Sequence, residues 1–131
     1  MKPTKVTPYM SYEHSTSILS LSGRSSPENA LGFYQSVMDF LDEFANSDQP
    51  SLTANVSMEY FNTSSSKCLF SFFKKMNDIQ DDLNKSMTVN WYYEDWDDDM
   101  LEIGEDFSAD LNIEFKLTEV DDLNDLKQEA A

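Results

Sequence analysis

A chain of 131 residues and 15.1 kDa suits one folded domain and leaves little room for two. Nine Lys and Arg against 25 Asp and Glu give a net charge of −16 and a pI near 4.1, a surface that repels nucleic-acid phosphates and anionic lipid and argues against both as partners. At 40% hydrophobic and 13% aromatic residues, the composition also excludes an acidic disordered polymer.

The charge is regional. Residues 1–66 carry a net −4 and residues 67–131 a net −12, with nine acids and no base between Glu94 and Asp110. The single cysteine, Cys68, rules out an intramolecular disulfide framework and suits a reducing compartment. No apolar run approaches the roughly 18 residues that span a bilayer. Met1–Lys5 leads into no signal-peptide core, so a cytoplasmic location is expected.

In chain order, apolar pieces at Pro8–Tyr12 and Ser17–Ser22 predict a hairpin closed by Gly23. Arg24–Asn29 then reads as a helix start. Ser25 or Ser26 can cap it, Pro27 suits the first turn, and Ser25 with Glu28 has capping-box spacing. Behind it Leu31, Tyr34, Met38, Leu41 and Ala45 recur at helical spacing, and Asn46–Pro50 ends the helix. Ser51–Tyr60 is a strand with Leu52, Ala54, Val56, Met58 and Tyr60 on the buried face. Phe61–Ser66 turns into a second helix whose core stripe runs from Cys68 and Leu69 to Ile79 and Leu83. Met87, Val89, Trp91 and Tyr93 alternate as a strand, and Met100, Ile103, Gly104 and Phe107 suit a short third helix. Leu111, Ile113, Phe115 and Leu117 form a last strand, leaving residues 119–131 as an acidic tail or short helix. The order β-β-α-β-α-β-α-β argues for a single layered α/β domain, with parallel crossovers and an antiparallel hairpin at one edge.

Little in the chain supports catalysis. A nucleophilic triad needs a histidine base, and the only histidine, His14, falls in a predicted hairpin turn, where it reads as a solvent-exposed turn residue. Cys68 falls on a core stripe, three glycines form no phosphate-cradling loop, and zinc lacks a ligand set. No cofactor and no metal are expected. The acidic run Glu94–Asp99 admits three readings. It is a solvated helix start, a calcium- or magnesium-binding loop without EF-hand spacing, or a docking surface in which Tyr92 and Trp96 are interleaved with acids.

The most informative segment is Tyr60-Phe61-Asn62-Thr63-Ser64-Ser65-Ser66-Lys67, where a buried strand hands over to an amphipathic helix. Open α/β sheets carry functional loops at that edge. A hydroxyl there is either an ordinary cap, Thr63 or Ser64, or the acceptor of a phosphate that the helix N-terminus partly accommodates.

That segment, with Ser26-Pro27-Glu28-Asn29 and Trp91-Tyr92-Tyr93, resembles the SiaC-type regulatory phosphoproteins of bacteria over nearly the whole chain. The resemblance implies a fold similar to STAS domains and anti-sigma-factor antagonists, with a mixed sheet of about five strands. It also implies a non-enzymatic threonine switch. Thr63 would be the phosphoacceptor and Asn62, Ser64, Ser65 and Lys67 its partner-binding neighbours. A kinase with a histidine-kinase-like ATPase fold would add the phosphate and a PP2C-like phosphatase would remove it. The unphosphorylated form would bind and activate a diguanylate cyclase, raising cyclic-di-GMP and promoting biofilm formation. Two other readings stay open: an anti-sigma-factor antagonist acting on a sigma-controlling kinase, and an acidic divalent-metal-binding protein.

Overall fold

The computed structural model describes residues 8–25 and 30–123. The capping segment expected at Ser26–Asn29, the side chain of Leu31 and the tail beyond Leu123 lie outside the described residues.

Five strands and three helices alternate as expected. They are β1 (Tyr9–Glu13), β2 (Ile18–Ser25), α1 (Ala30–Ala45), β3 (Ser51–Phe61), α2 (Thr63–Leu83), β4 (Ser86–Glu94), α3 (Asp98–Ser108) and β5 (Glu114–Val120). The strands lie in sequence order in one mixed sheet. β1 is antiparallel to β2, and β2 through β5 are mutually parallel, each parallel pair joined by one helix.

One face of the sheet is buried under the helices. Leu19 and Leu21, then Leu52, Ala54, Val56 and Met58, then Met87, Val89 and Trp91 all point into it. Each helix meets that face through an aromatic ring. Phe40 of α1 packs on Tyr12 at 4.7 Å, while Phe73 of α2 and Phe107 of α3 approach Trp91 at 6.1 and 5.5 Å between centroids. The opposite face is uncovered and mostly uncharged. Its central row aligns Ser11, Ser20, Asn55 and Asn90, and the Asn90 amide donates to Asn55 Oδ1 at 2.8 Å.

Several boundaries differ from the sequence expectation, each for a local reason. Gly23 does not close the hairpin. It lies within β2 at φ 101°, next to a register shift at which β2 pairs Gly23 with Met58 and then Arg24 with Tyr60. Glu59 is thereby skipped, so the alternation of β3 reverses after Met58. Tyr60, expected inside, is 41% exposed and lies under the Arg24 guanidinium at 5.1 Å. Phe61, expected in a turn, packs instead toward Trp91 and Phe107. Ser25, one of the expected caps, is the last residue of β2.

Leu83, assigned to the buried stripe, is 49% exposed at the last turn of α2, and Cys68 is only half-buried. Leu111 and Ile113 precede β5, because Asn77 of α2 captures the backbone there: its Oδ1 accepts from the N–H groups of Asn112 and Ile113. β5 in turn runs three residues past Leu117, into the segment expected to be tail, and Leu123 beyond it is buried. Glu94 and Asp95 hold that end. The Leu123 N–H donates to Glu94 Oε2 at 3.2 Å, and the Asp95 N–H donates to the Val120 carbonyl at 2.9 Å.

Candidate functional site

The parallel arrangement of β2 to β5 brings their C-terminal ends to one edge, where the β3–α2 and β4–α3 junctions are neighbours. Phe61 anchors the first junction in the core, and the chain passes directly from it through Asn62 into α2.

Asn62 is the helix cap, in place of Thr63 or Ser64. Its backbone is extended at φ −87° and ψ 179°, its Oδ1 accepts from the Ser65 N–H at 2.9 Å, and its carbonyl accepts from the Ser66 N–H at 2.9 Å. Asparagine thus performs the capping that a hydroxyl was expected to perform. Thr63 becomes the first residue of the helix, exposed and free of capping duty.

The remaining expected site residues separate by helical geometry. Ser64 and Lys67 are exposed, and Lys67 lies one turn beyond Thr63 on the same stripe. Ser65 is fully buried, so its side chain faces the protein interior and not a docking surface. Asn62 is half-buried and committed to the cap.

The electrostatics of the two junctions contrast. α3 begins with Asp97, whose Oδ1 accepts from the Met100 N–H at 3.1 Å, followed by Asp98 and Asp99 in its first turn. The first turn of α2 carries no acidic residue at all. Its helix dipole is therefore uncompensated, in a chain whose sequence carries 25 Asp and Glu. A negative group added at Thr63 meets the positive end of the helix and Lys67 one turn away. Arg24, at the end of β2, adds a second positive charge to the same edge; its pairing with Tyr60 was hidden by the register shift.

Trp96 is 70% exposed on the turn between β4 and α3, a turn closed by the Asp97 N–H donating to the Glu94 carbonyl at 2.9 Å. Tyr92 is half-buried on the uncovered face of the sheet, so the two aromatics do not form one cluster. The carboxylates of Glu94 and Asp97 are engaged with backbone N–H groups. Among the described residues, no three His, Cys, Asp or Glu side chains converge on a point that could hold a metal ion.

The two lone reactive groups lie away from this edge or are muted. His14 is exposed in the β1–β2 turn at the opposite end of the sheet, where it meets the Gln49 side-chain amide. Burial pushes the Cys68 thiol above its ordinary pKa, which disfavours the thiolate. No helix among the described residues is long and apolar enough to cross a membrane.

A five-stranded mixed sheet with its three helices on a single face defines a small two-layered α/β domain, with the exposed Thr63 at the start of its second helix. The chain belongs to the SiaC family of regulatory phosphoproteins, whose family model matches residues 1–120. It is 25% identical over 114 residues to an uncharacterized protein of Pseudomonas aeruginosa (strain UCBPP-PA14), covering 87% of this chain and 90% of that protein. Its fold is similar to a chain in the crystal structure of diguanylate cyclase SiaD in complex with its activator SiaC from Pseudomonas aeruginosa. That match has a TM-score of 0.84 at 24% identity and covers 90% of this chain and 96% of the other. The crystal structure of apo-SiaC from the same organism matches with a TM-score of 0.83 at 24% identity, covering 90% and 95% of the two chains.

Proposed function

We propose that this chain is a non-enzymatic cytoplasmic switch in which Thr63 is the phosphoacceptor and the unphosphorylated form binds and activates a diguanylate cyclase. A kinase with a histidine-kinase-like ATPase fold writes the phosphate, and a PP2C-like phosphatase removes it. The output is cyclic-di-GMP and, through it, biofilm formation. The observation that carries the reading is the placement of Thr63. It is exposed at the first position of α2, relieved of capping by Asn62, and set on a helix start bare of carboxylates.

The chemistry suits an on–off device. Phosphate adds about −1.5 to −2 charges at neutral pH. On the free protein the helix N-terminus and Lys67 accommodate that charge, so the fold tolerates it. Within an interface the same group must be desolvated beside partner groups chosen for a neutral hydroxyl, a penalty of several kcal/mol, which at about 1.4 kcal/mol per tenfold carries a micromolar complex toward the millimolar range. The complex of SiaC with its cyclase supports a cyclase as the partner, over a sigma-controlling kinase.

The test is co-purification from the native host with phosphosite mass spectrometry, followed by pull-down of the captured cyclase with two variants. Thr63→Ala is expected to bind constitutively and Thr63→Asp to bind weakly. Equal binding by both, or phosphate found only on Ser64, overturns the assignment.

A further inference from the structure

Two adjoining depressions run along the outer side of the helical layer between α1 and α2, of about 250 and 550 Å³, sharing Met38 and Ser71. From Lys67 to Leu83 they follow α2 for roughly 24 Å at 1.5 Å per residue, the length of a four-turn helix. The floor is apolar, with Tyr34, Met38 and Ile79 along it and Leu83, 49% exposed, at its end. This is the shape that receives an amphipathic helix.

The charge on its rim runs against the rest of the molecule. Arg24, Lys67, Lys74, Lys75, Lys85 and Lys116 are the basic residues of the described chain, and three of those six line this one groove. Lys75 is already tied to Asp42 of α1, which leaves two: Lys74 makes only a 3.8 Å pair with Asp78, with both side chains more than half exposed, and Lys67 makes no ion pair among the described residues. Both are available to a carboxylate from outside. Beyond Lys75 the rim turns acidic at Asp78 and Asp82, which gives the groove a direction.

Thr63 stands at the basic end. It precedes Lys67 by four residues, Ser71 by eight and Lys74 by eleven, a spacing that keeps all four on one stripe of α2. We propose that the α1–α2 groove is the docking site for an acidic amphipathic helix of the regulated cyclase, with its carboxylates lying over Lys67 and Lys74. Phosphate on Thr63 then acts at the mouth of the groove, where it repels that acidic helix and competes for Lys67. The inference rests on the cyclase reading above and assigns the surface through which it operates.

The experiment measures binding of the cyclase encoded by the same host to the full chain and to three exposed-site variants, with circular dichroism and thermal melting to establish that each is folded. Ser71→Trp fills the groove, Lys67→Glu with Lys74→Glu reverses its rim, and Lys67→Arg with Lys74→Arg preserves it. The first two are expected to weaken binding roughly tenfold or more and the third to bind as wild type. A photo-crosslinker at Ser71 is expected to capture a cyclase peptide rich in Asp and Glu with apolar residues at helical spacing, and one at Ser20 on the uncovered sheet face to capture none.

Undiminished binding by both Ser71→Trp and the Lys→Glu pair, or crosslinks from Ser20 alone, overturns the groove while leaving the cyclase reading intact. A change in self-association by sedimentation with cyclase binding unaltered assigns the groove to a second copy of this chain, and overturns the proposal equally. Wild type that binds no cyclase in either phosphorylation state overturns both readings.

Discussion

Trp91 and Gly104 are packed against each other without room for a side chain on the helix. A β-carbon on Gly104 would lie 2.6 Å from Trp91 Cδ1 and 2.7 Å from Leu117 Cδ2, while the indole Nε1 donates to the Met100 carbonyl at 3.0 Å. The glycine lets α3 approach closely enough for that hydrogen bond, and Trp91 then sits amid Phe61, Phe73, Phe107 and Phe115.

Gly104→Ala tests this contact, because helix propensity and packing predict opposite signs. On an open helix face, alanine stabilises by roughly 0.5–1 kcal/mol. Here the methyl group must displace a fully buried indole, and overpacking of this kind costs about 1–3 kcal/mol. Urea unfolding is expected to show a net loss. A variant as stable as wild type would mean that α3 stands off from the sheet.

Capping and phosphoacceptance are divided between neighbours, and stability measurements can show it. Asn62→Ala removes the acceptor of the Ser65 N–H and is expected to lower stability by about 1 kcal/mol. Asn62→Asp retains an acceptor and adds a favourable charge at the helix start, so it is expected to be neutral or better. Thr63→Ala, outside the cap, is expected to change stability by less than about 0.5 kcal/mol, as exposed substitutions usually do. If Thr63→Ala destabilised more than Asn62→Ala, the division of labour would be reversed.

The element order and the buried face of the sheet were legible because period-2 and period-3.6 patterns are dense in this chain, as in Leu52, Ala54, Val56 and Met58. What was not legible depends on partners distant in sequence. The slip between Gly23–Met58 and Arg24–Tyr60 is a property of two strands at once, and no alternation within β3 reports it. The same limit hid Asn77, a polar residue inside a helix whose role exists only once the α3–β5 connection folds over it. At the site, the Asn-Thr-Ser-Ser run marked the junction correctly, but four potential caps in succession left the capping residue undetermined until Asn62 took it. The groove was illegible for a further reason: Lys67, Lys74 and Lys75 form a rim only against α1.

The reversal of phase in β3 is open to a direct comparison of Met58 and Tyr60, which simple alternation places on the same buried face. Met58 is 2% exposed and Tyr60 41%. Met58→Ala is expected to cost about 2–5 kcal/mol by leaving a cavity in the core. Tyr60→Ala loses only surface packing and the Arg24 contact, an expected cost of about 0.5–1 kcal/mol. Equal losses in thermal unfolding would restore uninterrupted alternation.

Asn77 ties α2 to the chain that enters β5. It is 7% exposed, its Oδ1 accepts from the Asn112 and Ile113 N–H groups at 2.6 and 3.3 Å, and its amide donates to Asp81 Oδ2 at 3.2 Å. Asn77→Leu is close in size but offers no acceptor, leaving the Ile113 N–H in a buried position without its partner. The expected cost is about 1–3 kcal/mol, the penalty for a stranded buried donor. The loss should be local as well as global, since β5 is held in register by the residues that follow. Hydrogen exchange at Asn112 and Ile113 is therefore expected to accelerate more than at Val56, in the centre of β3. Uniform acceleration across all strands would show that Asn77 contributes only to overall stability, and that β5 is positioned by its pairing with β4 alone.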